Sequence, residues 1–258
     1  MAYAKGEILV SKDRDIPLLR QVRNCRFITR AQLFEFLQPC SAEYSRKSFD
    51  WRFLRLLRAN YLARVEGHFG RGNEVYRVTS AGLLLVEGGS EYAMVLNSKT
   101  KQSANAPFVY HALELNSIQL DLKRANLLAG WQSDVETASF NMAASNPLKK
   151  NYDAVVDVWL ENRTSARFGL EYERSLKGLR HYGKIRDAIE SEDSLGCVLY
   201  LTPGHDMALY LAKEFAGISN KVAFADVSTF RKHLLDTLVL THPSQNDVPF
   251  RHLLRGMF

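Results

Sequence analysis

Arg55-Leu56-Leu57-Arg58-Ala59-Asn60-Tyr61-Leu62 ends one pattern and begins another, and the stretches on either side of it settle the first third of the chain. Upstream, residues 45–58 place Phe49, Phe53, Leu56 and Leu57 on one helical stripe, with Arg46, Lys47, Arg52 and Arg55 assigned to the opposite face. A shorter helix precedes it, with Thr29 as N-cap, Leu33, Phe34 and Leu37 turned inward, and Pro39 as its stop. Before that, Ile16, Leu18, Leu19 and Val22 recur at helical spacing behind Asp15, with Pro17 in the first turn. Downstream the period changes to two. Residues 61–66 and 75–79 alternate like strands, and between them lies the Gly-rich, basic tip His68-Phe69-Gly70-Arg71-Gly72-Asn73. Thr79-Ser80-Ala81-Gly82-Leu83-Leu84-Leu85 then begins another helix.

Three helices, two short strands and an arginine-bearing loop resemble a bacterial winged helix-turn-helix domain. The Arg55–Leu62 phrase ahead of the wing and Val78-Thr79-Ser80-Ala81-Gly82 after it carry that resemblance. It implies an α+β domain over residues 1–88 whose third helix enters the major groove of duplex DNA. Arg46, Lys47, Ser48 and Arg52 are then the expected base or phosphate contacts, with Arg55 on the same helix and Arg71 reaching a backbone or the minor groove. The charge distribution agrees. Residues 11–80 hold fourteen Lys and Arg against seven Asp and Glu, a net +7 in a chain whose total is +6, and twelve of the fourteen are arginine. Guanidinium forks onto phosphate and guanine, so a polyanionic partner for this segment follows.

With 258 residues, two domains are the natural division, and 46% hydrophobic with 24% charged residues is an ordinary globular balance. No apolar run is long enough to span a bilayer, and the first residues lack the basic-then-apolar build of a signal peptide, so a cytoplasmic protein with no membrane partner is expected. Cys25, Cys40 and Cys197 have neither metal-ligand spacing nor an even count, and read as buried thiols.

Residues 89–106 are small and polar at both ends, as a linker is, and a second domain is expected over 107–258. Its first helix, 108–128, repeats Leu115, Ile118, Leu122 and Ala125, carries His111 and Glu114, and is expected to stop at Gly130. Strand-like runs follow at 131–137, 153–160 and 166–173, then a helix at 176–190, an interior strand at 195–202, a helix at 206–215 with Asp206 as its cap, a strand at 221–226 and a last helix. Trp131, Trp159 and Tyr200 are expected to pack the sheet. Glu171 and Glu173 share one face of their strand by alternation and can either aim at one cation or raise each other's pKa.

Helix, three strands, helix, strand resembles the core of the restriction-endonuclease-like fold, an α/β domain with a mixed sheet. The resemblance implies a divalent metal, Mg or Mn, held by Asp153 and Glu171 with Glu114 as a further carboxylate, and catalytic roles for Asp153, Glu171, Glu173 and a lysine. This chain has Tyr152-Asp153 for Pro-Asp, and Glu173 where the lysine belongs; Lys177 or Lys184 on the next helix is the substitute. The same carboxylates can equally be structural partners of Arg174, Lys177 or Arg180. His111, His181 and His205 have no partner at metal spacing.

The two halves together are similar to the replication-relaxation family of mobile elements. His111-Ala112-Leu113-Glu114-Leu115-Asn116, Tyr152-Asp153-Ala154, and Leu170-Glu171-Tyr172-Glu173-Arg174-Ser175 with His181-Tyr182 downstream carry that similarity. It implies a double-stranded DNA-binding protein of a plasmid or mobile element, a transcription regulator or origin-binding accessory factor. The alternative is a metal-dependent endonuclease or relaxase nicking at a transfer or replication origin. A homodimer, and conjugation or replication proteins, are the implied partners.

Overall fold

The Phe49/Phe53/Leu56 stripe is the centre of the first unit, each side chain being fully buried. The computed structural model describes residues 9–38, 45–67, 69, 74–87, 105–161, 164–218, 221–242 and 247–255, and divides the chain into units of residues 1–120 and 121–258.

In the first unit, helix α1 (Asp15–Cys25), strand β1 (Ile28–Thr29) and helix α2 (Arg30–Leu37) lead to helix α3 (Arg46–Arg58). Strands β2 (Leu62–Arg64) and β3 (Val75–Val78) and helix α4 (Ser80–Glu87) follow. The three strands form an antiparallel sheet in the order β1-β3-β2. Thr29 caps α2 as its sequence requires: its side chain accepts from the Gln32 N–H while the Gln32 side chain accepts from the Thr29 N–H. Phe36, not Phe34, is buried on α2, and Phe34 is only half-buried beside Phe49 at 5.1 Å. The turn from β3 into α4 needs glycine, because a Cβ on Gly82 would sit 2.3 Å from the Tyr61 carbonyl oxygen.

Helix α5 (Ala106–Arg124) departs from the domain limits expected above. Residues up to 120 belong with the first unit: Val109 and Ala112 pack with Phe27, Val65, Phe69 and Val75, and Leu120 joins the core around Phe53. Polar contacts agree, since Asn116 Nδ2 donates to the Phe27 carbonyl at 2.8 Å and Gln32 Nε2 to the Leu113 carbonyl at 3.0 Å. Most of the linker 89–106, with Pro39, Cys40 and nearly all of the 68–73 tip, lies outside the described residues.

The second unit holds a five-stranded mixed sheet in the order β4-β5-β6-β7-β8. Its strands are β4 (Leu128–Ser133), β5 (Ala154–Trp159), β6 (Ser165–Tyr172), β7 (Val198–Thr202) and β8 (Val222–Asp226). The first three are antiparallel neighbours, and β6, β7 and β8 run parallel. Helices α6 (Asp134–Ala143), α7 (Leu179–Glu190), α8 (His205–Glu214) and α9 (Val227–His233) follow β4, β6, β7 and β8. A small antiparallel pair, β9 (Leu238–Val239) and β10 (Val248–Pro249), precedes α10 (Phe250–Arg255).

Four expectations about this unit change. Gly130 does not stop a helix; it lies inside β4 against Asp157, where a side chain would meet Asp157 Oδ2 at 2.9 Å. Residues 134–137 are not strand, because Ser133 and Glu136 form a reciprocal capping box that starts α6. Asp206 lies in the first turn of α8, whose N-cap is Gly204. Tyr200 and the thiol of Cys197 are buried in the sheet as expected, and burial pushes that thiol up to about 12. Trp159 instead stands half exposed at a strand end. Among the described residues no helix is long and apolar enough to cross a membrane.

Candidate functional site

Two surfaces carry the residues singled out by the sequence. On α3, the structure re-sorts the arginines. Arg52 and Arg55 leave the set of expected DNA contacts because both are committed to Asp15, whose side chain is fully buried at the start of α1. Arg52 is itself only 7% exposed and reaches Asp15 Oδ1 at 3.2 Å. Arg55 pairs with Asp15 Oδ2 and donates to the Leu9 carbonyl at 3.1 Å. Asp15 also accepts from the Ser11 N–H at 2.7 Å. A buried carboxylate without such partners would be strongly destabilising, which is why two guanidinium groups are drawn to it.

Arg46 is half exposed, donates to Asp50 Oδ1 at 3.1 Å and lies 4.8 Å over the Phe34 ring. An i,i+4 pair at that exposure contributes little and exchanges readily for phosphate. Ser48 is half-buried at the start of α3, with its N–H capped by Ser45 Oγ at 3.1 Å. Lys47 is exposed and makes no ion pair among the described residues. Arg71 lies outside the described residues. Lys47 is joined by three residues that the sequence reading missed: Trp51, Leu54 and Arg58 complete with it the line of α3 directly opposite the core stripe, with Trp51 62% exposed. The spacing i, i+4, i+7, i+11 was the available signal.

In the second unit the antiparallel register that sets Ala154 opposite Leu170 brings Asp153 beside the end of β6. Asp153 Oδ2 there accepts from the Tyr172 N–H at 2.8 Å. Parallel pairing places Glu171 opposite Tyr200, and the Glu173 N–H donates to the Leu201 carbonyl at 2.9 Å. Both glutamates are buried. Each has a lysine: Lys150 pairs with Glu171, and Lys177 Nζ lies 2.6 Å from Glu173 Oε2. Lys150 also sits 4.8 Å over the ring of Tyr152. The Tyr182 hydroxyl accepts from the Lys177 N–H at 2.9 Å and steadies the loop between β6 and α7. The expected Lys184 is exposed on α7 and takes no part in these contacts.

Burial pushes the Glu171 carboxyl up to about 7; Lys150 opposes that shift and the nearby Asp153 charge adds to it. Lys177 is raised: burial alone would lower it, but the hydrogen bond and charge of Glu173 outweigh that. Tyr200 is held well above the ordinary phenol value, first by burial and then by the charge of Glu171.

These residues do not fit a divalent cation. Among the described residues no three His, Cys, Asp or Glu side chains are arranged to hold a metal ion. Asp153 accepts from a backbone N–H and each glutamate is paired with a lysine, whose positive charges oppose a divalent cation at the same carboxylates. Glu114, the third expected ligand, lies on the part of α5 that belongs to the first unit. As folded, the cluster ties β5, β6 and the loop before α7 together. No protein-family model, no curated protein and no solved structure matches the chain.

Proposed function

We propose that the chain is a double-stranded DNA-binding protein in which the first unit is a winged helix-turn-helix that docks α3 on the duplex. The observation that carries this reading is the conjunction of fold order and charge. Helices α1, α2 and α3 combine with a β1-β3-β2 antiparallel sheet, and the +7 excess of residues 11–80 coincides with them. A helix presented on such a scaffold reaches the floor of the major groove while surrounding cations meet phosphates.

The second unit, in which antiparallel β4, β5 and β6, with α6 inserted between β4 and β5, are followed by α7 and the parallel strand β7, supports a restriction-endonuclease-like core. In this reading it acts as a DNA-holding or dimerising platform rather than a nuclease, because its carboxylates are spent on Lys150, Lys177 and a backbone amide. The resemblance to the replication-relaxation family makes a mobile-element regulator or origin-binding factor the proposed setting.

The test is binding of the full chain to a mixed-sequence duplex across a salt series. Removing one cation that touches a phosphate lowers the log–log salt slope by about 0.9. Lys47→Ala with Arg58→Ala is expected to flatten the slope by roughly twice that amount, and an unchanged slope overturns the placement of α3.

A further inference from the structure

The outer line of α3 has cations at its ends and apolar side chains at its middle. Lys47 and Arg58 flank Trp51 and Leu54, which are 62% and 37% exposed. The nearest acid on the helix, Asp50, is taken up by Arg30 at 2.9 Å and by Arg46. The Arg55 guanidinium lies 5.1 Å from the Trp51 ring and, fixed by Asp15, holds one edge of a groove formed by Trp51, Leu54, Arg55 and Arg58. Among the described residues no carboxylate lines that groove.

Two of the arginines that could read guanine from this helix, both near its middle, are therefore withdrawn. Arg52 is buried and Arg55 is pinned, so neither can offer its fork to O6 and N7 of a base. What α3 presents outward at mid-helix is a large aromatic face and a leucine. In the major groove the one apolar feature of a base-pair edge is the C5-methyl group of thymine. Charge sets the partner class: a face with Lys47 and Arg58 at its ends is repelled by a second copy of itself and attracted by phosphates spaced along a backbone.

We infer that α3 selects its DNA site by apolar contact of Trp51 and Leu54 with thymine methyl groups, so that the preferred duplex is rich in A·T pairs at the positions facing the middle of this helix. The inference rests on the duplex-binding reading and deepens it by naming the determinant of specificity. Lys47 and Arg58 supply the sequence-independent phosphate contacts, and Trp51 with Leu54 supplies discrimination.

The experiment starts from selection of duplexes by the full chain out of a randomised pool. The recovered duplex is then synthesised twice, with thymine and with uracil, which differ only by the methyl group. Wild type should bind the uracil form more weakly by about fourfold for each methyl contacted. Trp51→Ala should bind the thymine form more weakly by a similar factor, shrink the difference between the two duplexes to what Leu54 supplies, and keep the wild-type salt slope; Trp51→Ala with Leu54→Ala should abolish the difference. Trp51→Phe should restore part of the difference.

Equal binding of thymine and uracil forms by wild type overturns this inference alone, as does discrimination that is undiminished in Trp51→Ala or survives in Trp51→Ala with Leu54→Ala. Salt-dependent binding with no sequence enrichment does the same. A drop in solution mass of Trp51→Ala with unaltered DNA binding would assign the face to self-association and also overturn it. Absence of any duplex binding by wild type would instead sink the DNA-binding reading on which the inference stands.

Discussion

Replacing Arg52 separates a structural arginine from a DNA-contacting one in a single variant. In Arg52→Ala the Asp15 carboxylate stays fully buried but is deprived of its 3.2 Å partner, a guanidinium that is itself only 7% exposed. Breaking a buried ion pair by removing one partner costs about 3–5 kcal/mol; Arg55 and the Ser11 N–H still face Asp15, which argues for the lower end, about 3 kcal/mol. Urea unfolding of the variant, followed by a signal from the first unit, should therefore show a midpoint well below wild type. Under conditions where the variant remains folded, its DNA salt slope should equal that of wild type, because Arg52 touches no phosphate in the proposed complex. Destabilisation of less than about 1 kcal/mol together with a slope reduced by about 0.9 would refute the reasoning and return Arg52 to the DNA-binding surface.

Further outcomes follow from the same geometry. Gly82→Ala should destabilise the first unit by about 2 kcal/mol or more, measured by thermal melting, since its Cβ would lie 2.3 Å from a backbone oxygen that cannot easily yield. Glu171 makes the second unit pH-sensitive. Its folded pKa of about 7 lies above the ordinary glutamate value, so the folded state holds more protons between the two, and the stability penalty of the charged form grows as pH rises toward and past 7. Wild type should accordingly gain about 2 kcal/mol relative to Glu171→Gln on going from alkaline pH to about pH 5; a difference independent of pH would contradict the burial of a titrating carboxyl there. Incubation of supercoiled plasmid with the protein and Mn²⁺ should leave it closed, and open circles that disappear with Asp153→Ala would overturn the reading of the carboxylate cluster as structural.

Local rules carried much of the first unit. The helical stripe Phe49/Phe53/Leu56 and the Thr29–Gln32 capping box join residues a few positions apart, so spacing alone reveals them. The same rules failed where a distant group decides. The sequence pattern assigns Arg52 to the outer face, although at about 100° per residue it lies roughly 70° from the core stripe, close enough to be drawn inward once an acid is buried beside it. Nothing local says that Asp15, thirty-seven positions away, is that acid. Helix α5 has an apolar repeat that fits either domain, and only the partners Phe27, Val65 and Val75 show which core takes its first turns. The shared burial of Glu171 and Glu173 was legible because β-alternation puts them on one face. Their lysines were not, since Lys150 arrives from the segment before β5 and shares no periodicity with β6. The start of helix α6 is a local signal, since Ser133 and Glu136 have capping-box spacing.

Binding of the full chain to a mixed-sequence DNA duplex, measured over a salt series, tests the central claim most directly. The proposed docking of α3 predicts an affinity that falls linearly in log–log form with salt, with a slope that Lys47→Ala and Arg58→Ala together reduce by roughly 1.8. No measurable duplex binding, or an affinity indifferent to salt, would contradict it.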